Sequence, residues 1–271
     1  MRTEPTAAEV GLLLAEIDAS TRRVAASLGA IDEDGLLAPS LLPGWARVTI
    51  AAHLTWVADR YAAMTADALA AVATTTYPGG AAERDASLRG LEDATAGQAL
   101  TGFEAASAAL AGAWRHLDDH QWATTMQEQR LGAIRLSRLT ALRLTELEVH
   151  HVDLGVGYQI TDWPSVFTRI CLPLRIAWLD AHHRRRPDAA RQVAGRWLLA
   201  PTDDGVRWLV TARADYVNCQ PAPTAADADV TLAGTSAGLL AFLLGREPDP
   251  PLSIGGNRRL ADAFKHAFPG P

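Results

Sequence analysis

The feature that most constrains this fold is a series of long helical patterns in the first 155 residues. Four stretches repeat apolar residues with the three-to-four-residue spacing of an amphipathic helix. We predict helices at residues 6–28, 46–72, 97–117 and 137–154. Pro-Gly turns at 43–44 and 78–79 separate consecutive members of this series. Four such helices joined by turns predict an up-and-down bundle.

Beyond residue 160 the pattern changes to a further helix followed by short runs of strand type. The helix is expected at about 164–186, where Pro187 ends it. Asp203-Asp204-Gly205 predicts a hairpin between two of the strands. The remaining elements are strands at 197–199, 206–211, 229–232 and 252–254, and helices at 236–245 and 257–268. The predicted fold class is therefore α+β, with a helical bundle over residues 1–160 and a small α+β domain over residues 161–271.

Composition excludes several classes of protein. The 271 residues include 25 basic and 31 acidic side chains, and a net charge of −6 argues against nucleic acid or an anionic membrane as the partner. Two cysteines without a CxxC pair exclude a disulfide framework and a cysteine-based zinc site. The N-terminus lacks the pattern of a signal peptide, and no apolar run approaches the roughly 20 residues of a membrane helix, so we expect a cytoplasmic protein. Lys265 is the only lysine, which is typical of a GC-rich genome.

The fourth predicted helix carries the segment with most chemical content. Glu146 and His150 are four residues apart, so they lie on one face of that helix. A buried carboxylate without a partner costs several kcal/mol, and a metal ion would be an adequate partner. His53, in an apolar part of the second helix, would complete a His/Glu/His set with an open position, as in catalytic zinc sites. Asp153 could orient an imidazole. The alternative is an ordinary i,i+4 pair beside a core histidine.

Other polar residues are assigned structural roles. Glu148 and His151 point away from the Glu146 face and are expected to be solvated. His116 and His120 flank two aspartates near a helix end, which indicates an exposed cluster, and Cys171 lies in an apolar stretch typical of a core.

Two segments resemble the signatures of a known family. Leu42-Pro43-Gly44-Trp45 is followed eight residues later by His53, and Glu146-x3-His150 continues through Asp153-Leu154-Gly155. Both resemble the mycothiol-dependent maleylpyruvate isomerase family, which belongs to the DinB-like group of metal-binding four-helix bundles. The segment from Gly234 to Arg246 is similar to part of that family's small second domain. The resemblance implies a DinB-like metal-binding bundle over residues 1–160, then a connecting helix and a small α+β domain over residues 161–271.

The resemblance also implies functional residues. His53, Glu146 and His150 match the family's ligands for Zn²⁺ or another divalent metal. Asp153, from its position one turn after His150 and not from the resemblance, is assigned to supporting that cofactor through the His150 imidazole. Arg246 matches a catalytic arginine that the family brings from its second domain. The thiol mycothiol is implied as cofactor or co-substrate, which agrees with an arginine-rich, actinobacterial composition. The sequence departs from the family at Ala46, where relatives commonly carry Ser or Thr, and at Val57, where Asn is frequent.

These implications define the expected function. We expect a metal-dependent enzyme that activates mycothiol for attack on a small electrophilic substrate carrying a carboxylate, as an S-transferase or a cis–trans isomerase. Cys171 and Cys219 lie in no reactive motif, so the sulfur nucleophile would come from outside the chain. The alternatives are a non-catalytic ligand-binding module and a thiol-independent metal hydrolase. The expected partner is a small molecule rather than nucleic acid or membrane, and the protein is expected to be a monomer or homodimer.

Overall fold

The computed structural model describes residues 1–91, 93–128, 132–184, 193–213, 216–223 and 226–268. The chain forms two compact units, one of Glu4–Gln159 and one of Met1–Thr3 with Ile160–Pro271. No described helix has both the length and the apolar character required to cross a membrane. The predicted α+β class is confirmed, because helices and strands both occur.

The four long predicted helices are present in the first unit, with ends within a few residues of those expected. They are α1 (Ala7–Gly29), α3 (Arg47–Leu69), α5 (Ala96–Trp114) and α7 (Arg138–Asp153). Three short helices and a hairpin without a clear sequence signal lie between them: α2 (Glu33–Leu37), α4 (Gly80–Leu88), α6 (Asp119–Trp122), β1 (Thr125–Glu128) and β2 (Gly132–Arg135).

The helix pairing determines where the candidate site can form. α1 and α3 each pack against both α5 and α7, so they occupy opposite corners of the bundle. α7 is therefore covered on two sides, by α1 on one and by α3 on the other. The contact between α3 and α7 is the one that can join His53 to Glu146.

The helix starts follow from local sequence. Thr6 and Thr95 cap α1 and α5, and each forms a reciprocal capping box with the residue three positions later. α3 begins after Ala46, whose backbone has the extended N-cap conformation but whose side chain offers no acceptor. The helix that carries His53 thus starts without a side-chain cap.

The bundle core is mainly apolar but also encloses a cation. Leu13, Leu54, Phe103 and Leu147 are fully buried, which contributes roughly 1.5–3 kcal/mol for each such side chain. Arg143 is also fully buried among them, and its Nη1 donates to the carbonyl oxygen of Leu54 at 2.9 Å.

The second unit contains helices and a five-stranded sheet. The helices are α8 (Ser165–Ala177), α9 (Leu179–Arg184), α10 (Ser236–Leu243) and α11 (Arg258–Ala267). The strands are β3 (Gly195–Pro201), β4 (Trp208–Ala212), β5 (Val217–Pro221), β6 (Val230–Gly234) and β7 (Ser253–Gly256), in the order β5-β4-β3-β6-β7. β3 pairs antiparallel with β4, as the hairpin signal predicts, and parallel with β6.

Two features of this unit differ from the sequence prediction. The expected helix over 164–186 is divided into two helices at Trp178. The backbone N–H of Trp178 donates to Arg175 O, three residues earlier, as well as to Leu174 O, and this closes α8. The Trp178 indole Nε1 donates to Thr3 O at 3.1 Å. The predicted end of the helix at Pro187 lies outside the described residues. β5 was not predicted, since its short alternation of buried Val217 and Cys219 with polar neighbours is a weak signal.

Candidate metal centre

Three predicted ligands from two helices lie together in the bundle. His53 Nε2 on α3 is 2.9 Å from Glu146 Oε2 on α7, and His150 Nε2 is 3.3 Å from the same oxygen. One ligand atom from each residue lies within 4.8 Å of the others. Both histidines are buried, whereas the Glu146 side chain remains 28% exposed. The cluster thus has one partly accessible side, and Glu146 is less buried than its helix face suggested.

Asp153 determines which nitrogen of His150 faces this cluster. Its Oδ2 is 2.8 Å from His150 Nδ1, one helical turn away on α7. A neutral imidazole that donates from Nδ1 has a free lone pair on Nε2, which is the state a metal ligand requires. The geometry agrees with the orienting role expected for Asp153.

Trp45 lies against both histidines. Its ring is 5.5 Å from the ring of His53 in an edge-on arrangement and 6.1 Å from that of His150, with nearly parallel planes. The preceding turn places it there: Gly44 has a positive φ of 81°, and Trp45 N donates to Leu42 O. The Leu-Pro-Gly-Trp segment therefore supplies an indole wall for the cluster, a role that spacing alone does not reveal.

The electrostatics of the cluster favour positive charge at its centre. Burial alone would raise the pKa of Glu146, but hydrogen bonds and charge from His150 and His53 hold it well below its usual range. Burial lowers the pKa of His53. For His150, burial also disfavours the cation, yet hydrogen bonds to Asp153 and Glu146 raise its pKa to about 9. An ionised carboxylate between two imidazoles is a donor set that suits a divalent cation.

Arg246 belongs to the second compact unit. It follows the C-terminus of α10, and its Nη1 donates to Leu244 O at 3.1 Å. Its assignment as a catalytic residue stays a prediction.

The expectation that Glu148 and His151 are solvated is wrong. Both are buried, because α1 covers the face of α7 opposite α3. Glu148 accepts hydrogen bonds from Ser20, Tyr158 and, at 2.8 Å, Arg23 Nη2.

A second contact on this face involves His151. Its Nε2 lies 2.7 Å from Ser27 Oγ, and its ring stacks on that of Tyr158 at 3.9 Å. The signal that could have revealed this network is a polar stripe on α1, since Ser20, Arg23 and Ser27 recur at helical spacing.

The remaining assigned residues match their predicted environments. Cys171 is buried, as expected of a core residue, and His116 and His120 are exposed.

Comparison with known proteins identifies the family. The family model described as "Mycothiol maleylpyruvate isomerase N-terminal domain" matches residues 17–155. The crystal structure of the mycothiol-dependent maleylpyruvate isomerase is similar to this chain with a TM-score of 0.70 and 20% identity, covering 91% of this chain and 92% of that one. A histidine-to-alanine mutant of that enzyme is similar at 19% identity, with the same TM-score and coverage. No curated protein matches the chain. Because the family model spans just over half of the 271 residues, the chain belongs to the mycothiol maleylpyruvate isomerase N-terminal domain family, as its two sequence signatures predict.

Proposed function

We propose that the protein is a metal-dependent enzyme that uses the thiol mycothiol to attack a small electrophilic substrate. The observation that carries this proposal is the cluster of His53, Glu146 and His150, whose ligand atoms lie within 4.8 Å of one another. The family and the structural neighbour, which is named a mycothiol-dependent maleylpyruvate isomerase, support the thiol and the enzyme class.

The donor set fits zinc or another divalent metal. Two imidazole nitrogens and one carboxylate oxygen are ligands that zinc accepts, and a three-residue set leaves a coordination position for a reactant. The hydrogen bond from His150 to Asp153 supports this assignment, because metal-binding histidines usually donate their second N–H to a carboxylate or carbonyl. Residues 1–160 would thus form the metal-binding domain, followed by the connecting helix and small α+β domain of residues 161–271, to which Arg246 belongs.

The thiol must come from outside the chain. Cys171 and Cys219 are both buried, and burial with the negative charge of Asp180 raises the pKa of Cys219 to about 12. A free thiol has a pKa of about 8.5, and a divalent cation at the three ligands would keep such a thiol deprotonated near neutral pH. The burial of both cysteines therefore favours mycothiol as the source of sulfur.

The residues around the ligands have separate tasks in this proposal. Trp45 shields one side of His53 and His150 from water, which strengthens electrostatic interactions within the site. Asp153 holds the Nδ1 proton of His150. Arg246 would bind a substrate carboxylate through two parallel N–H donors, a geometry that lysine lacks.

Two reaction classes use the same first step. The thiolate sulfur forms a bond to an electrophilic carbon of a conjugated double bond, and the displaced electron pair moves onto the conjugated carbonyl. In an isomerase, the resulting single bond rotates, and expulsion of the thiolate restores the double bond in the trans form. In an S-transferase, the new C–S bond remains. The displaced electron pair then either takes up a proton at carbon or expels a leaving group from the substrate.

Metal analysis combined with turnover assays tests the proposal. We expect the purified protein to hold about one divalent metal per chain, His53→Ala to lose it, and the exposed-histidine control His116→Ala to retain it. Turnover of a cis-configured conjugated keto acid, or S-conjugation of an electrophile, should require added mycothiol. Full metal content in His53→Ala would overturn the metal site.

The turnover result also separates the two alternatives. Metal-dependent turnover without thiol would identify a hydrolase. Tight ligand binding without any turnover would identify a binding module.

A further inference from the structure

A groove between α1 and α5 lies outside the metal centre. It has a volume of about 520 Å³, within the range of roughly 300–1,000 Å³ usual for small-molecule pockets. Its lining includes no member of the His53, Glu146 and His150 cluster. The walls are mainly apolar and include Leu14, Ile17, Ala25, Ala108, Leu110 and Trp114. Such a surface suits a hydrocarbon chain rather than a polar solute.

A buried hydroxyl is part of the groove lining. Ser107 on α5 is only 8% exposed, and its Oγ accepts a hydrogen bond from Arg143 Nη2 at 3.1 Å. Within the described residues, the Ser107 O–H itself has no acceptor. Buried hydroxyl donors in proteins are normally satisfied, so this one is available to an acceptor that enters the groove.

The charge behind this hydroxyl favours an anionic acceptor. Arg143 also lines the groove, is fully buried and has no carboxylate within 4.0 Å among the described residues. Its hydrogen-bond partners, Leu54 O and Ser107 Oγ, are both neutral. Glu146 and Asp59 act on this cation only through longer-range charge, without a hydrogen bond to it, so part of its positive potential remains at Ser107, where low-dielectric surroundings screen it poorly.

The exposed rim of the groove is electrically balanced. Asp18 pairs with Arg22 on α1, and Glu104 and Arg115 project from α5 and the residue that follows it. The rim therefore favours neither sign of charge. The preference for an anionic ligand comes from the buried pair of Ser107 and Arg143.

We propose that this groove is a second ligand site, which binds a linear aliphatic monocarboxylate with its carboxylate at Ser107 and its chain between α1 and α5. A carboxylate oxygen would accept the unused O–H of Ser107 while the Arg143 charge lies directly behind it. The alkyl chain would contact Leu14, Ile17 and Leu110. This site does not depend on the metal chemistry proposed for His53, Glu146 and His150.

Calorimetric titration with octanoate tests the proposal. We expect saturable binding with one site per chain, about tenfold weaker binding in Ser107→Ala, and no detectable binding in Ala108→Trp, which fills the groove from an exposed position. The neutral analogue 1-octanol should bind at least tenfold more weakly than octanoate. Ser87→Ala, a helical serine outside the groove, should bind octanoate like the unsubstituted protein.

The metal-site variant distinguishes this site from the metal centre, because carboxylates also coordinate metal ions. His53→Ala should retain full octanoate affinity. Loss of binding in His53→Ala, or unchanged binding in both Ser107→Ala and Ala108→Trp, would overturn the proposal. Thermal unfolding of each variant establishes that it is folded. If Ser107→Ala proves unstable, Ala108→Trp provides the test, because that substitution leaves the hydrogen bonds of Arg143 intact.

Discussion

His150 Nδ1 and Asp153 Oδ2 lie 2.8 Å apart, one turn from each other at the C-terminal end of α7. Because this hydrogen bond occupies Nδ1, Nε2 is the nitrogen that faces Glu146, at 3.3 Å. The orientation of one candidate ligand is thus determined by a carboxylate outside the cluster.

Removing that carboxylate should weaken metal binding without removing a ligand. We expect Asp153→Ala to lower the affinity for zinc by about 10–100-fold, because His150 loses the partner that orients it. Asp153→Asn, which keeps an acceptor but loses the charge, should have an intermediate effect. Competition with a chromophoric chelator measures both. The exposed aspartate control Asp262→Ala should leave the affinity unchanged. Equal affinities in Asp153→Ala and the parent would contradict the orienting role.

A capping side chain at the start of α3 should stabilise the protein. Ala46 has φ −82° and ψ 165°, close to the values of Thr6 and Thr95, which cap their helices. A serine hydroxyl at Ala46 could therefore accept from a backbone N–H of the first turn. We expect Ala46→Ser to raise the free energy of unfolding by about 0.5–1 kcal/mol in urea denaturation.

The reverse substitution is the matched control for this prediction. Thr95→Ala removes an observed cap from α5 and should lower the free energy of unfolding by about 1 kcal/mol. If Ala46→Ser destabilises while Thr95→Ala behaves as expected, the extended backbone at Ala46 does not act as an N-cap.

The buried carboxylate of Glu148 should contribute much more than an exposed ion pair. Tyr158→Phe removes one hydrogen bond to Glu148 and should cost about 1.5–3 kcal/mol. Glu148→Leu leaves Arg23 and the two hydroxyls without their shared acceptor and should cost about 3–5 kcal/mol. Urea denaturation measures both changes.

An exposed ion pair on α1, the helix that supplies Ser20 and Arg23 to Glu148, provides the comparison. Asp18 and Arg22 form an i,i+4 ion pair on α1 with about two thirds of each side chain exposed (70% and 68%). Asp18→Ala should cost no more than about 0.5 kcal/mol. A cost for Tyr158→Phe as small as that for Asp18→Ala would mean that the Glu148 network adds little stability.

The pH dependence of alkylation should report the buried state of Cys219. Burial and the negative charge of Asp180 raise the pKa of this thiol to about 12. The thiolate is the reactive form, so the rate with iodoacetamide should still increase about tenfold per pH unit between pH 8 and 10. An ordinary thiol would level off above about pH 8.5. Peptide mass spectrometry of labelled protein gives the rate, and the same cysteine in urea is the control. A plateau near pH 9 in the folded protein would contradict a raised pKa.

The main helices of the bundle could be predicted because their signals are local. Thr6 with Glu9, and Thr95 with Gln98, are residues within one turn of each other, and the apolar spacing of each helix repeats over the same short range. α4 was missed because it begins directly after a Pro-Gly turn. Its start depends on Glu83 accepting from Gly79 N, an exposed contact with no apolar repeat beside it.

The environment of α7 could be predicted only in part. The four-residue spacing placed Glu146 and His150 on one face, which the structure retains. The same spacing predicts solvent exposure for Glu148 and His151 only if a single face of the helix is covered. α1 covers the second face, a contact that depends on a helix more than 100 residues earlier in the chain.

The sequence by itself determined the helices, their caps and the spacing of Glu146 and His150, because these depend on residues within about four positions of one another. Only the tertiary structure decided that His53, 93 positions before Glu146, lies 2.9 Å from it. It also decided that Trp45 contacts both imidazoles and that Glu148 is buried under α1. The physical reason is that helix pairing results from the burial of whole apolar faces, which is a property of several helices packed together and not of any one segment.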